Sequence, residues 1–191
     1  MPKYPLNKLV AADVWRCTGQ SGCGAFIKAW LSDPPFRPVF TMRMCQFCQT
    51  LPRAVRGPAM LLARMWHQRV RLRCALDIPW GLRSGPGLKL LHGVGIVINA
   101  DVIIGTNVTI MQGVTIGGTQ RGIPVIEDDV IICANATVLG NVRLGRGSVV
   151  GAGAVVLKDV AAHTNVVGNP AKEITRTSPP KGFNALPDVL R

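Results

Sequence analysis

The stretch Val97-Ile98-Asn99-Ala100-Asp101-Val102-Ile103-Ile104-Gly105-Thr106-Asn107-Val108-Thr109-Ile110-Met111-Gln112-Gly113-Val114-Thr115-Ile116 decides the fold. A branched aliphatic recurs at every sixth residue: Ile98, Ile104, Ile110, Ile116. The pattern resumes as Ile126, Ile132, Val138, Leu144, Val150, Val156. A half-buried strand repeats about every two residues and a helix about every 3.6. A period of six belongs to short straight runs, each ended by a turn and stacked so that one apolar side chain per run points inward. That is the pattern of a hexapeptide β-helix.

The residues between the aliphatics agree. Gly105, Gly117, Gly145 and Gly151 directly follow inward aliphatics, and Asn99 and Cys133 hold the same place elsewhere. Small residues there predict tight corners. Val102, Val108, Val114, Val130, Val142 and Ser148 stand two before the aliphatics and read as strand residues. The step from Ile116 to Ile126 exceeds six by four. The segment Gly117 to Pro124 therefore predicts a surface loop, a usual place for a binding insertion in a solenoid.

The formal charge of +12 on 191 residues is unevenly placed. Residues 1–76 hold twelve Lys/Arg against Asp13 and Asp33, a net +10, and the remainder holds only +2. No binding motif accompanies the charge, so nucleic acid is not an expected partner. No apolar run is long enough to span a bilayer. Met1 to Lys8 lacks the apolar core of a signal peptide, so the expected location is cytoplasmic with reduced thiols.

Residues 1–57 predict short helices over Leu6–Trp15, Ala25–Leu31 and Val39–Gln49, broken by Pro34, Pro35, Pro38 and Pro52. Pro58 predicts the first turn of a longer helix reaching Leu76. In it Leu61, Leu62, Met65, Trp66, Val70 and Leu72 form an apolar stripe, and Arg64, His67, Gln68 and Arg71 the opposite face. Such a helix either packs on its neighbours with a solvated basic face or lies on anionic lipid at the inner face of the membrane. The solenoid is expected to end near Val160, and the tail from Arg176 to Gly182 to be loosely ordered.

Of three histidines, His92 lies at the start of the regular coils in Leu90-Leu91-His92-Gly93-Val94-Gly95, where small neighbours leave room for a substrate. Cys45-Gln46-Phe47-Cys48, with Cys17 and Cys23, raises a zinc site, but the irregular spacing favours buried thiols and no metal is expected. His67, His92 and His163 are too scattered for a three-histidine metal site.

The segment from Asp77 through His92 to Gly118, resumed through Gly168-Asn169-Pro170-Ala171-Lys172, resembles the serine O-acetyltransferases and their polysaccharide-modifying relatives, which are hexapeptide acyltransferases. The resemblance implies a mainly β fold, a left-handed parallel β-helix over 77–172. A small α-helical region over 1–76 precedes it and a tail over 173–191 follows. It implies acetyl-CoA as co-substrate, and His92 and Asp77 as the catalytic pair. A neutral imidazole takes the proton of an attacking hydroxyl, and a carboxylate on its other nitrogen holds the tautomer. It places coenzyme A between subunits of a homotrimer, or a dimer of trimers. Its contacts map to Gly117, Gly118, Ala134 and Ala152, with Lys158 and Lys172 near the phosphates.

Two departures bear on the acceptor. Serine acetyltransferases carry Asp directly before the catalytic His, where this chain has Leu91. They carry Arg-His-Pro in the inserted loop, where this chain has Gly122-Ile123-Pro124, with Arg121 one place off. Leu91, Arg121 and Ile123 thus line an acceptor site poorly suited to a zwitterion. Leu31 to Met44 resembles relatives encoded with capsule and exopolysaccharide synthesis. The expected activity is O-acetylation of a sugar or polysaccharide-precursor hydroxyl. Two alternatives stand: a serine O-acetyltransferase that grips the amine through Asp13 or Asp33, and a non-enzymatic β-helix scaffold.

Overall fold

The computed structural model describes residues 4–174 and 186–190. The tail from Arg176 to Gly182 lies outside them. Four helices precede a parallel β-solenoid: α1 (Leu6–Thr18), α2 (Cys23–Ser32), α3 (Phe36–Cys48) and α4 (Arg53–Arg73).

The solenoid is a three-sided prism. One side stacks β1 (Arg83–Ser84), β4 (Ile103–Ile104), β7 (Val125–Ile126) and β10 (Arg143–Leu144). The second stacks β2 (Lys89–Leu91), β5 (Thr109–Met111), β8 (Ile131–Ile132), β11 (Val149–Val150) and β13 (Asn165–Val167), closed by β14 (Lys172–Ile174). The third stacks β3 (Val97–Ile98), β6 (Thr115–Gly117), β9 (Thr137–Leu139) and β12 (Val155–Val156). All pairings are parallel except β13 with β14, which runs antiparallel. The solenoid thus continues past Val160, because β13 adds a rung and β14 covers its edge.

All ten aliphatics of the six-residue pattern are buried in one continuous core. Val102, Val108, Val114, Val130, Val142 and Ser148 are buried too, but outside the strands, immediately before them or at a corner. They fill the corners from inside, so each coil side contributes two inward residues. The glycines after the aliphatics act through space, not through turn conformation. A Cβ on Gly105 would lie 2.7 Å from the backbone nitrogen of Asp128 in the next coil. Left-handed backbone falls later in the corner, at Asn107, Asp129 and Asn135.

Register exposes two insertions. Val125 pairs with Arg143, eighteen residues on, the length of a plain coil. Ile103 pairs with Val125, twenty-two residues on, because the four extra residues of the loop intervene. Lys89 pairs with Thr109, twenty on, whereas Val97 pairs with Thr115, eighteen on. Two extra residues therefore lie between Lys89 and Val97, at the corner that carries His92.

α4 differs from the sequence expectation. Pro52 sets its start, and Pro58 lies inside it, exposed, where the carbonyl it leaves unbonded meets water. Its buried face holds Ala63 and His67, while Leu61, Leu62, Met65, Trp66 and Leu72 are exposed. The small Ala63 lets α4 approach Cys45 and Cys48 of α3. His67 is fixed between the Thr41 hydroxyl (2.9 Å from Nδ1) and the Ile78 carbonyl (2.9 Å from Nε2). A carbonyl only accepts, so Nε2 carries a proton, and burial lowers the pKa of the ring, which favours its neutral form.

A buried ion pair seats the helices on the first coil. Arg43 of α3 donates to Asp13 of α1 at 3.0 Å and to the carbonyls of Ser84 and Gly85 at 2.9 and 2.7 Å. Asp13 in turn accepts from the amides of Gly87 and Leu88 at 2.9 and 3.0 Å. Both side chains are 1% exposed.

Candidate active site

His92 follows β2 at the corner leading to β3. Its φ is +61°, and Gly93 and Gly95 also have positive φ. Left-handed backbone at a non-glycine residue costs about 1–3 kcal/mol and persists only where surroundings impose it. Here they do. Gly95 donates to the Ala75 carbonyl at 2.7 Å, and Gly113 donates to that of Val94 at 2.9 Å. Gly93 packs so closely on Pro35 that a Cβ there would lie 2.7 Å from its ring. The two inserted residues, pinned in this way, present an exposed imidazole.

Asp77 opens the same coil. Its amide donates to the Ile96 carbonyl at 2.7 Å, and its carbonyl accepts from Ile98 at 2.9 Å. The segment carrying Asp77 thus runs alongside the segment that leaves the His92 corner. Its carboxylate is engaged by Arg71 of α4, and among the described residues no hydrogen bond joins it to His92. Asp77 is 59% exposed. A cleft of about 750 Å³ lies between α4 and Asp77 to Trp80, bordered by Arg64, His67 and Arg71.

The corners beneath His92 form one edge of the prism. Asn135 donates to the Gln112 carbonyl and Gly153 to that of Ala134, each at 2.9 Å. Ala134 and Ala152 therefore stack on the edge that His92 heads, and small side chains there leave backbone open to a ligand. Leu91 ends β2 on this edge, paired with Met111 of β5.

Gly117, Gly118 and Lys158 lie on a different edge, beyond the side formed by β3, β6, β9 and β12. Gly140 donates to the Gly117 carbonyl at 3.0 Å along it. The inserted loop leaves from here as a tight hairpin, with Thr119 and Gly122 exchanging bonds of 2.9 and 3.1 Å and exposed Arg121 near its tip. Ile123 packs against Gly118 and the core, partly buried. Lys172 opens β14 opposite Val167, exposed. One chain therefore does not bring the expected cofactor and acceptor residues together. His92, Leu91, Ala134 and Ala152 share one edge; Gly117, Gly118, Arg121, Ile123 and Lys158 share another.

Two residues of the helical region, Asp33 and Arg71, gain partners in the solenoid. Asp33, after α2, pairs with Lys89 of β2, and the prolines following it reach Cys74 and Gly93. Asp33 is 17% exposed, so a carboxylate from the helical region stands near the His92 corner. Asp13, the other acid considered for that task, is committed to Arg43 and closed from solvent. Arg71 carried no signal in the sequence beyond its charge. Among the described residues no group of three His, Cys, Asp or Glu side chains is placed to hold a metal ion. Burial raises the Cys45 thiol to about 11 and Cys17 to about 12, so both stand as neutral thiols.

Residues 123–158 match the family described as Bacterial transferase hexapeptide (six repeats). Serine acetyltransferase 4 of Arabidopsis thaliana is 44% identical over 118 residues, covering 60% of this chain and 33% of that protein. The soybean serine acetyltransferase complexed with serine superposes with a TM-score of 0.74 at 34% identity, covering 88% of this chain and 69% of that one. A serine acetyltransferase in complex with CoA superposes with a TM-score of 0.73 at 25% identity, covering 88% and 69%. The chain belongs to the hexapeptide-repeat acyltransferase family. The members it matches here are serine acetyltransferases, and the expected likeness to polysaccharide O-acetyltransferases finds no support among them. The chain spans about a third of the length of the Arabidopsis relative.

Proposed function

We propose that this protein transfers acetyl from acetyl-CoA directly to a hydroxyl, with His92 as general base and serine as the acceptor. The observation that carries the transfer chemistry is the strained, exposed His92 heading an edge of small residues. In this reading the imidazole takes the acceptor's proton as its oxygen attacks the thioester carbonyl. The C–S bond then breaks and coenzyme A leaves with a proton. Asp77 stabilises the imidazolium once a bound acceptor draws it from Arg71. Cys133 is not a nucleophile in this scheme, because burial raises its thiol.

Kinship with serine acetyltransferases supports serine, and Asp33 supplies the carboxylate that Leu91 does not. The CoA complex of a relative supports the co-substrate. The split site supports assembly with further copies, and we read it as a trimer in which a neighbour's Gly117 edge set against the His92 edge would complete the groove.

A second reading keeps the same chemistry with a saccharide hydroxyl as acceptor. It rests on Leu91 beside His92 and on Asp33 being already paired with Lys89. Thiol release from acetyl-CoA, measured with serine and with a panel of oligosaccharides, separates the two. Release with serine is expected. Release with saccharide alone overturns serine as acceptor, and neither release nor coenzyme A binding overturns the transferase.

A further inference from the structure

The apolar stripe of α4 points away from the protein. Val55, Leu61, Leu62, Met65 and Leu72 are 47–67% exposed, at helical spacing along one side. The opposite side holds Ala63 and His67 against α3 and Ile78. Trp66, 40% exposed, packs against Trp30 of α2 with ring centroids 6.1 Å apart. α2 adds exposed Ile27 and Leu31, at 58% and 69%. A water-soluble helix normally turns such a stripe to the core. A contiguous exposed face of leucines and tryptophan marks a contact surface.

The charge around the stripe selects the partner. α4 contains six arginines and no acidic residue. Arg71 is taken by Asp77 and Arg64 stacks over Trp80 at 5.2 Å. Arg53, Arg56, Arg69 and Arg73 are exposed, and among the described residues they have no acidic partner. Face-to-face packing of a second copy would set these cations against their own kind. Nucleic acid would meet the arginines but offer the leucines nothing. An anionic lipid surface satisfies both, with headgroups for the guanidinium groups and acyl chains for the stripe. No helix among the described residues is long and apolar enough to cross a membrane, so the contact is interfacial.

We infer that the exposed face of α4, with Ile27 and Leu31 of α2, docks this protein on anionic lipid bilayers. Leu61 and Met65 also border the cleft beside Asp77, so the docked face adjoins the candidate active site.

Vesicle sedimentation of the full chain tests this, with vesicles of phosphatidylcholine alone and with about one third phosphatidylglycerol. Binding to the anionic vesicles is expected, with little to the neutral ones. It should weaken as salt rises from about 50 to 500 mM. The exposed-residue variant Leu31→Ser/Leu62→Ser/Leu72→Ser should lose about tenfold or more in partitioning at unchanged melting temperature. Arg69→Gln/Arg73→Gln should lose the preference for anionic lipid. Equal binding by wild type and both variants, or no binding to anionic vesicles, overturns the inference. A smaller oligomer for the leucine variant in sedimentation velocity also overturns it, because the face then belongs to a second copy.

Discussion

Arg71 on the last turn of α4 holds the carboxylate of Asp77, while His92 stands exposed at the neighbouring corner without a side-chain hydrogen bond among the described residues. The acid of the expected catalytic pair is thus tethered to the helical region, and the base is positioned by backbone alone. In the proposed mechanism an acceptor entering between them competes with a guanidinium for Asp77, which would couple the helical region to the reaction.

Replacement of His92 by Ala should lower turnover by ~10²–10⁴-fold while leaving coenzyme A binding near wild type. The backbone at this corner is fixed by the Gly95–Ala75 and Gly113–Val94 bonds, so the fold should survive. Thiol-release kinetics and calorimetry with coenzyme A check the two halves, and full activity in the variant would remove His92 from the mechanism.

Asp77→Asn should lower kcat more than it changes either KM, because the carboxylate matters when the imidazolium forms. Arg71→Gln should have a smaller effect on kcat, since it frees the carboxylate without removing it. A larger loss for Arg71→Gln than for Asp77→Asn would mean that the arginine itself contacts the reacting groups. Steady-state kinetics of both variants decide.

If serine is the acceptor, Asp33→Asn should raise its KM by about tenfold or more, the cost of losing a charged hydrogen bond. The KM for acetyl-CoA should not change. An unchanged serine KM would move the amine contact elsewhere.

Asp13→Asn should destabilise the protein by about 3–5 kcal/mol, because it strands the buried Arg43 charge. Denaturant unfolding measures this. The loss should appear without change in KM, since neither residue reaches the site.

His67 gives the fold a pH dependence with a definite sign. Burial lowers its pKa below the ordinary value of 6.5, helped by the charge of Arg71 and opposed by the hydrogen bond to the Ile78 carbonyl, which favours the protonated ring. Its contribution to stability is fully present above the unfolded value of 6.5, and is lost as pH falls through the folded value. Melting temperature should therefore drop on acidification, and His67→Gln should flatten that drop while lowering stability at neutral pH.

The six-residue period determined the solenoid, its ten inward aliphatics and the four-residue loop, because a coil that stacks on itself repeats its side-chain demands at a fixed interval. The pairing of His92 with Asp77 came from the resemblance to the serine O-acetyltransferases and not from the period. Other features lay beyond that pattern. Which face of α4 is buried was decided by the size of Ala63 and the hydrogen bonds of His67, and these count only once α3 and Ile78 stand opposite. Lys89 became the partner of Asp33 across 56 residues, a separation that no local motif spans, and Arg71 meets Asp77 only because the chain doubles back between the end of α4 and the first coil. The division of the cofactor and acceptor residues between two edges is likewise tertiary. Position within a hexad states which side of a coil a residue occupies, and only the closed three-sided path, with two extra residues at His92 and four after Ile116, fixes which edges those sides share.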